Sequence, residues 1–246
     1  MTTAPPLSPE AAIMRALFDA GRLLVISPHL DDAALGCGML LTVATRAYVA
    51  TVYSGMPADG TMLTKWDRDC GFSDSQAAMR ARLLEDARAM ALLGAETGYL
   101  GFLDSQYAPL PGRERLAKAL AMIIDDYAPD VVAMPLGLHH CDHERVREAA
   151  LLVMARRPRL LWLGYEDMFY RYRAGVLQRV LGQLGRRRIR ATPVECATPG
   201  DPDRKRLAVQ AYASQLRAVG VHTSDAAGAE ERYWWLDAGG GAGRET

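Results

Sequence analysis

The sequence predicts a three-layer α/β protein, a mostly parallel sheet covered by helices on both faces. Three observations predict it. Short apolar runs alternate with longer helical stretches, the order that β-α-β units produce. Capping residues and glycines punctuate those stretches at the positions where helices start and stop. Chemically capable side chains recur just after the apolar runs, and a parallel sheet binds ligands beyond the carboxyl ends of its strands.

The elements follow in order. Ser8-Pro9-Glu10 opens a helix that Gly21 closes, with Ser8 as cap and Pro9 in the first turn. Leu23 to Ile26 is a buried strand. Asp32 to about Thr45 is a helix and Tyr48 to Tyr53 a second strand. A long polar loop, Ser54 to Asp74, carries Trp66 and Cys70. Ser73 with Gln76 forms a capping box for a helix that Gly94 ends. Tyr99 to Leu103 is the next strand, and Arg113 to Tyr127 an amphipathic helix. Asp130 to Met134 reads as a strand, Asp142 to Arg156 as a helix and Leu160 to Leu163 as a strand. The arginine-rich run Gly185 to Arg190 reads as a solvated strand or turn, with an anionic substrate or membrane surface as its less favoured use. Asp201-Pro202 starts a late helix that Gly220 closes. Residues 1–7 and 238–246 are expected to fray. No linker interrupts the chain, so residues 1–246 are expected to form a single domain.

Composition narrows the function classes. A chain of 246 residues is about 1.6 times a typical domain of roughly 150. Its 29 basic and 29 acidic residues cancel, so no bulk field favours nucleic acid. No long uncharged apolar run predicts a transmembrane segment. Cys37, Cys70, Cys141 and Cys196 are scattered without a CxxC pair, which argues against a disulfide scaffold or thiolate zinc site. With no export signal at the N-terminus, the expected compartment is the cytoplasm. Lys65, Lys118 and Lys205 fall in no recognisable pattern, so Schiff-base chemistry has no evident nucleophile.

The histidines carry the chemistry. There are five, His29, His139, His140, His143 and His222. His29 and Asp32 are three apart across a strand-to-helix turn, and His140 and His143 have the same spacing at a helix start. Two imidazoles and one carboxylate with an open position suit catalytic Zn²⁺, and the same set can hold Fe²⁺. Asp31 and Asp32 are adjacent and cannot easily both ligate one ion. The favoured division gives Asp32 to the metal and makes Asp31 a general base, with His140 as a general acid oriented by Asp142. Each feature has a plainer explanation. A lone histidine is more often a hydrogen-bonded structural residue, paired aspartates often cap helices, and His-x-x-His alone is weak. Their joint placement after strands favours the metal. Gly36-Cys37-Gly38 lacks the third glycine of a dinucleotide fingerprint and reads as close helix–sheet packing. Tyr165-Glu166-Asp167 and Tyr170 to Arg173 lie beyond a strand and either line the pocket or pack as structure. Trp66 and Trp234-Trp235 either stack on a sugar or belong to the core.

The stretch Ser27-Pro28-His29-Leu30-Asp31-Asp32-Ala33-Ala34-Leu35-Gly36-Cys37-Gly38 resembles the first motif of the LmbE-like, or PIG-L, family of zinc-dependent N-acetylglucosaminyl de-N-acetylases. His140-Cys141-Asp142-His143, after Pro129 to Val132, resembles its second. Arg82, Glu85, Asp104 and Tyr212-Ala213-Ser214-Gln215 follow in the family's order. The resemblance covers about residues 22–236. It implies a Rossmann-like fold, zinc held by His29, Asp32 and His143, and Asp31 as general base. It implies that His140, supported by Asp142, stabilises the oxyanion or protonates the leaving amine, and that Arg82 and Asp104 contact substrate. Leu30 and Ala33 stand where the family usually has Pro and Glu.

The expected function is therefore metal-dependent hydrolysis of an N-acetyl group on an N-acetylglucosaminyl-type sugar or its conjugate, a small-molecule partner. Two other readings stay open on the residues alone: a non-catalytic Rossmann-like domain binding a nucleotide or sugar, and an Fe²⁺ oxygenase using the two-histidine, one-carboxylate set.

Overall fold

The computed structural model describes residues 8, 11, 21–194, 200–219 and 227–239. In chain order come β1 (Arg22–Ser27), α1 (Asp32–Val43), β2 (Arg46–Thr51), a short α2 (Lys65–Asp69), α3 (Ser75–Leu93) and β3 (Ala95–Tyr99). Then follow α4 (Arg113–Tyr127), β4 (Val131–Pro135), α5 (Cys141–Met154), β5 (Leu161–Tyr165), a 3₁₀ turn (Phe169–Tyr172) and α6 (Val176–Arg186). The chain continues through β6 (Arg190–Val194), α7 (Pro202–Gln210), α8 (Ala213–Val219) and β7 (Tyr233–Asp237). The strands form one seven-stranded sheet in the order β3-β2-β1-β4-β5-β7-β6. The first five are parallel. β7 runs antiparallel to both its neighbours, β5 and β6.

The alternation of side chains along the central strands builds the layers. Leu23 and Val25 of β1 enter one core with Val131 and Ala133 of β4. Leu24 and Ile26 enter the other with Val132 and Met134. Helices α1, α3 and α7 cover the first face through Leu40, Met90 and Val209. Helices α4, α5 and α6 cover the second through Leu120, Val146 and Leu184. Helix α1 packs so closely that a Cβ on Gly36 would lie 2.9 Å from the Tyr165 ring and one on Gly38 2.8 Å from the Lys205 stem. Both glycines are therefore packing residues, as read from the sequence.

The topology positions the site. The chain leaves β1 toward β2 and β3, then returns to place β4 on the other side of β1. The carboxyl ends of β1 and β4 thus diverge into a crevice at a topological switch point.

Several local expectations change. Asp74, not Ser73, caps α3, its side chain accepting from Ala77 N at 2.7 Å. The third strand is Ala95–Tyr99 rather than Tyr99 to Leu103. Its polar sequence gives no apolar signal, because it is an edge strand with only β2 beside it. Its carboxyl extension stays extended and donates from Leu100 N to Thr51 O and from Phe102 N to Val52 O. The long polar loop contains the turn of helix α2, capped by Thr64. The late helix is two helices, α7 and α8. Arg190 ends the arginine run as the first residue of β6 and pairs across to Asp237 at 2.7 Å. Ser8 Oγ accepts from Ala11 N at 3.2 Å, as a cap would. The rest of the expected first helix, Cys196 and His222 lie outside the described residues.

Candidate metal centre

β1 ends at Ser27, whose hydroxyl donates to His29 O at 2.7 Å and accepts from Ala33 N at 3.1 Å. This clamps the turn between strand and helix. The Asp32 carboxylate accepts from His29 N at 2.9 Å. His29 and Asp32 are thereby fixed on one side of the crevice. His140 and His143 come from the other, at the start of α5. His140 caps that helix, its Nδ1 accepting from Asp142 N at 3.3 Å, which leaves the ring proton on Nε2.

The three donors meet. His29 Nδ1 lies 3.1 Å from His143 Nε2. Asp32 Oδ2 lies 3.3 Å from each of these nitrogens. A tetrahedral ion with bonds of about 2.0–2.1 Å separates its donors by roughly 3.3 Å, so the triangle has the dimensions of three ligands around one cation. The outer ring nitrogens are held by buried carboxylates. His29 Nε2 bonds Asp142 Oδ2 at 3.0 Å, and His143 Nδ1 bonds Asp167 Oδ1. Such partners fix the orientation of a metal-binding imidazole and raise its basicity. Asp167 in turn accepts from Leu138 N at 2.9 Å, which anchors it.

The field in the crevice calls for positive charge. Burial alone would lower the His29 pKa, but Asp142, Asp32 and Asp104 outweigh it and raise it well above the usual value. His143 is raised in the same way against burial, by Asp32 and Asp167. Burial opposes ionisation of Asp32, yet His143 and His29 hold its carboxyl far below the usual range. Asp31 is different. Burial, then the charge of Asp32, pushes it up to about 7. His140 is lowered by burial and by its neighbours His29 and His143, which keeps it neutral. Other donor sets also come together, namely His29 with His140 and His143, and His29 with Asp104 and Asp142. The His29–Asp32–His143 triangle has all three edges at 3.1–3.3 Å, the donor spacing of a single tetrahedral ion.

A cavity of about 360 Å³ opens over these residues. His29, Asp31, Asp32, His140 and His143 form its base, with Tyr53, Trp66, Arg82, Asp104, Tyr170 and Gln215 among its walls. A larger hollow of about 760 Å³ lies elsewhere, beside Lys205, Glu231 and Trp234. Lys205 and Glu231 pair there with each other at 2.7 Å, and the hollow's lining includes no histidine.

The model of the PIG-L family, GlcNAc-PI de-N-acetylase, matches residues 24–154, which span both histidine motifs. The chain belongs to the PIG-L family. Residues of this family member are 32% identical to diacetylchitobiose deacetylase of Thermococcus kodakarensis over 117 residues, 48% of this chain and 41% of that protein. They are 31% identical to 2'-N-acetylparomamine deacetylase of Streptomyces fradiae over 172 residues, 64% of this chain and 60% of that protein. The chain thus spans about half the length of the curated relatives it matches. Among solved structures, a deacetylase of the teicoplanin biosynthesis pathway superposes with a TM-score of 0.73 at 25% identity, covering 87% of this chain and 97% of that one. The A40926 pseudoaglycone deacetylase gives 0.69 at 26% identity, covering 88% and 97%.

Within this PIG-L fold, the residues singled out from the sequence separate into two groups. His29, Asp31, Asp32, His140 and His143 come together at the base of the cavity. Asp142 joins them, but against His29 rather than His140. Its Oδ1 stands 3.8 Å from His140 Nδ1, beyond hydrogen-bond reach. The helix start turns His140 back over its own backbone, and that displaces the expected pairing. Arg82 reaches the cavity wall while its guanidinium is engaged beneath it, at 2.7 Å from Asp67 Oδ1 and 3.1 Å from the Tyr107 hydroxyl. Asp104 faces the cavity and accepts from Gln106 N at 2.9 Å. Sequence reasoning gave Asp167 no role of its own, although it follows β5 directly, the position that the carboxyl-end rule marks. Asp67 escaped notice inside a polar loop. Tyr170, whose ring lies 5.4 Å from His143 and 5.9 Å from His140, belongs to the cavity. Trp66 borders it too, whereas Trp235 packs against the core. Ala33 and Leu30 are buried among apolar side chains.

Proposed function

We propose that the chain is a metal-dependent de-N-acetylase that hydrolyses the N-acetyl group of an N-acetylglucosaminyl-type sugar or its conjugate. The observation that carries this reading is the triangle of His29 Nδ1, Asp32 Oδ2 and His143 Nε2, with edges of 3.1–3.3 Å, at the base of a cavity beside Asp31. These three residues would hold the ion. The two-imidazole, one-carboxylate set favours Zn²⁺ and accommodates Fe²⁺. When bound, a divalent cation there supplies Lewis acidity toward an amide carbonyl and toward water.

The remaining roles belong to side chains. Asp31, with its carboxyl pushed up to about 7, exchanges a proton near neutrality and serves as general base toward water. His140 is neutral with its proton on Nε2, which suits it to donate a hydrogen bond to the developing oxyanion. Asp142 and Asp167 lock the rings of His29 and His143. Asp104, about a fifth exposed at 18%, is placed to accept from a sugar hydroxyl. Arg82 positions that wall through Asp67 and Tyr107. Amino-sugar substrates agree with the names of the relatives. A purely sugar-binding protein would have no use for a base set beside a cation cage.

The test is metal content together with acetate release across a panel of N-acetylglucosaminyl conjugates. One tightly held divalent ion per chain is expected, with acetate release that chelation abolishes and Zn²⁺ or Fe²⁺ restores. Metal-loaded protein that releases no acetate from any of them, or stripped protein that does so at an undiminished rate, would defeat the reading.

A further inference from the structure

We propose that His140, Cys141 and Asp142 form a second metal site at the rim of the cavity, for a thiophilic divalent cation such as Zn²⁺ or Cd²⁺, and that filling it inhibits the enzyme. The inhibitory half of this proposal rests on the de-N-acetylase reading; the site itself does not.

One donor atom from each of the three residues lies within 4.8 Å of the other two. Cys141 Sγ is 3.2 Å from Asp142 Oδ1, and His140 Nδ1 is 3.8 Å from the same oxygen. A tetrahedral centre with a metal–sulfur bond of about 2.3 Å and other bonds of about 2.0 Å holds sulfur and oxygen roughly 3.5 Å apart, and nitrogen and oxygen about 3.3 Å apart. The observed spacings straddle these values, so small side-chain rotations bring the donors to one ion. Cys141 is exposed and the His140 ring is 35% exposed, so an ion arrives from solvent without opening the core. A thiolate among the ligands selects zinc or cadmium over magnesium or calcium. The chemistry assigned to the first centre leaves this thiol unused.

Binding exchanges protons for metal in a balanced way. The thiol now donates Sγ–H to Asp142 Oδ1. The ion takes the place of that proton, which leaves to solvent, and Sγ becomes a thiolate ligand. The His140 ring gives up only the long 3.3 Å bond from Asp142 N. Asp142 Oδ2 stays on His29 Nε2 while Oδ1 turns to the new ion. The first centre therefore remains assembled. His140 does not remain free to move, because a ring tied to the ion through Nδ1 cannot turn its Nε2–H to follow the developing oxyanion.

The experiment titrates Co²⁺ into the chelator-stripped full chain and follows the sulfur-to-cobalt charge-transfer band. The first equivalent is expected to give no such band, and further Co²⁺ to bring it in. Cys141→Ser should abolish the band and still bind the first equivalent; Cys141→Ala should do the same. With one metal loaded, excess Zn²⁺ is expected to suppress acetate release. Cys141→Ser should raise the half-inhibitory zinc concentration about tenfold or more, with the uninhibited rate unchanged. Absence of the band in excess Co²⁺, or its persistence in both variants, overturns the site. A band that the variants lose, without relief of zinc inhibition, overturns the inhibitory role. If the singly loaded chain releases no acetate, the de-N-acetylase reading and the inhibitory role fall together, and the cobalt band still decides the site.

Discussion

Two polar clusters border the same cavity and are built on opposite principles. Around Asp67 the charges cancel. Its buried carboxylate accepts from Arg82, from the Tyr107 hydroxyl and from Ser75 Oγ. Around His29 and His143 they do not. Asp31, Asp32, Asp104, Asp142 and Asp167 crowd the imidazoles, and three acceptor atoms converge at 3.1–3.3 Å. In the first cluster the buried charges pair within the protein, and it so acts on stability and wall position. The second, in the proposed reading, is completed by a cation from outside. A buried polar group is costly unless satisfied, so the difference separates a structural cluster from a candidate binding one.

Substitutions test that separation. The largest effect is expected from Asp31→Asn, which removes the base and keeps the cage. Turnover should fall on the order of 10²–10⁴-fold while metal stoichiometry holds; single-turnover acetate release with elemental analysis checks both. Asp67→Ala should do the reverse. Stranding the buried Arg82 charge should cost about 3–5 kcal/mol of stability, measured by urea denaturation, and the protein that remains folded should still bind its ion. Loss of metal at full stability would erase the distinction between the clusters. Asp167→Asn should sit between them, weakening metal affinity by about 10–100-fold with little change in fold, as read by competition with a chelating dye.

The smallest effect concerns a third kind of buried carboxyl. Burial pushes Asp86 up to about 6, against the hydrogen bonds from the Tyr212 and Tyr99 hydroxyls. Its folded pKa exceeds the ordinary value of 3.8, so its contribution to stability is present below pH 4 and is lost as pH rises through 6. The slope should not exceed ~1.4 kcal/mol per pH unit, and Asp86→Asn should flatten it in denaturation profiles between those limits.

The legible and illegible parts of the molecule divide along physical lines. Helix α4 was readable to its ends because its apolar positions, such as Leu116, Leu120 and Ile124, repeat on one face. The central strands were readable because both of their faces are buried, which leaves continuous apolar runs. The edge strands β3 and β6 were not, since half-exposed sequences such as Arg190–Val194 show no such run. Helix α6 was missed although Val176, Leu177, Val180, Leu181 and Leu184 follow a helical repeat; Gly182 and Gly185 obscured it. At the site, residue types and spacing pointed to the cage. Its supporting carboxylates were harder to place, because pairing across the crevice depends on which ring nitrogen faces inward, and that is a tertiary fact.

The position of β7 has a consequence for how the molecule assembles. A strand from residues 233–237 is inserted between β5 and β6. As the polypeptide leaves the ribosome, β6 emerges with no neighbour to pair with and β5 presents a bare edge. Both wait until β7 has been synthesised. Nascent chains halted before Tyr233 would carry sticky strand edges, so closure of this side of the sheet is timed by β7.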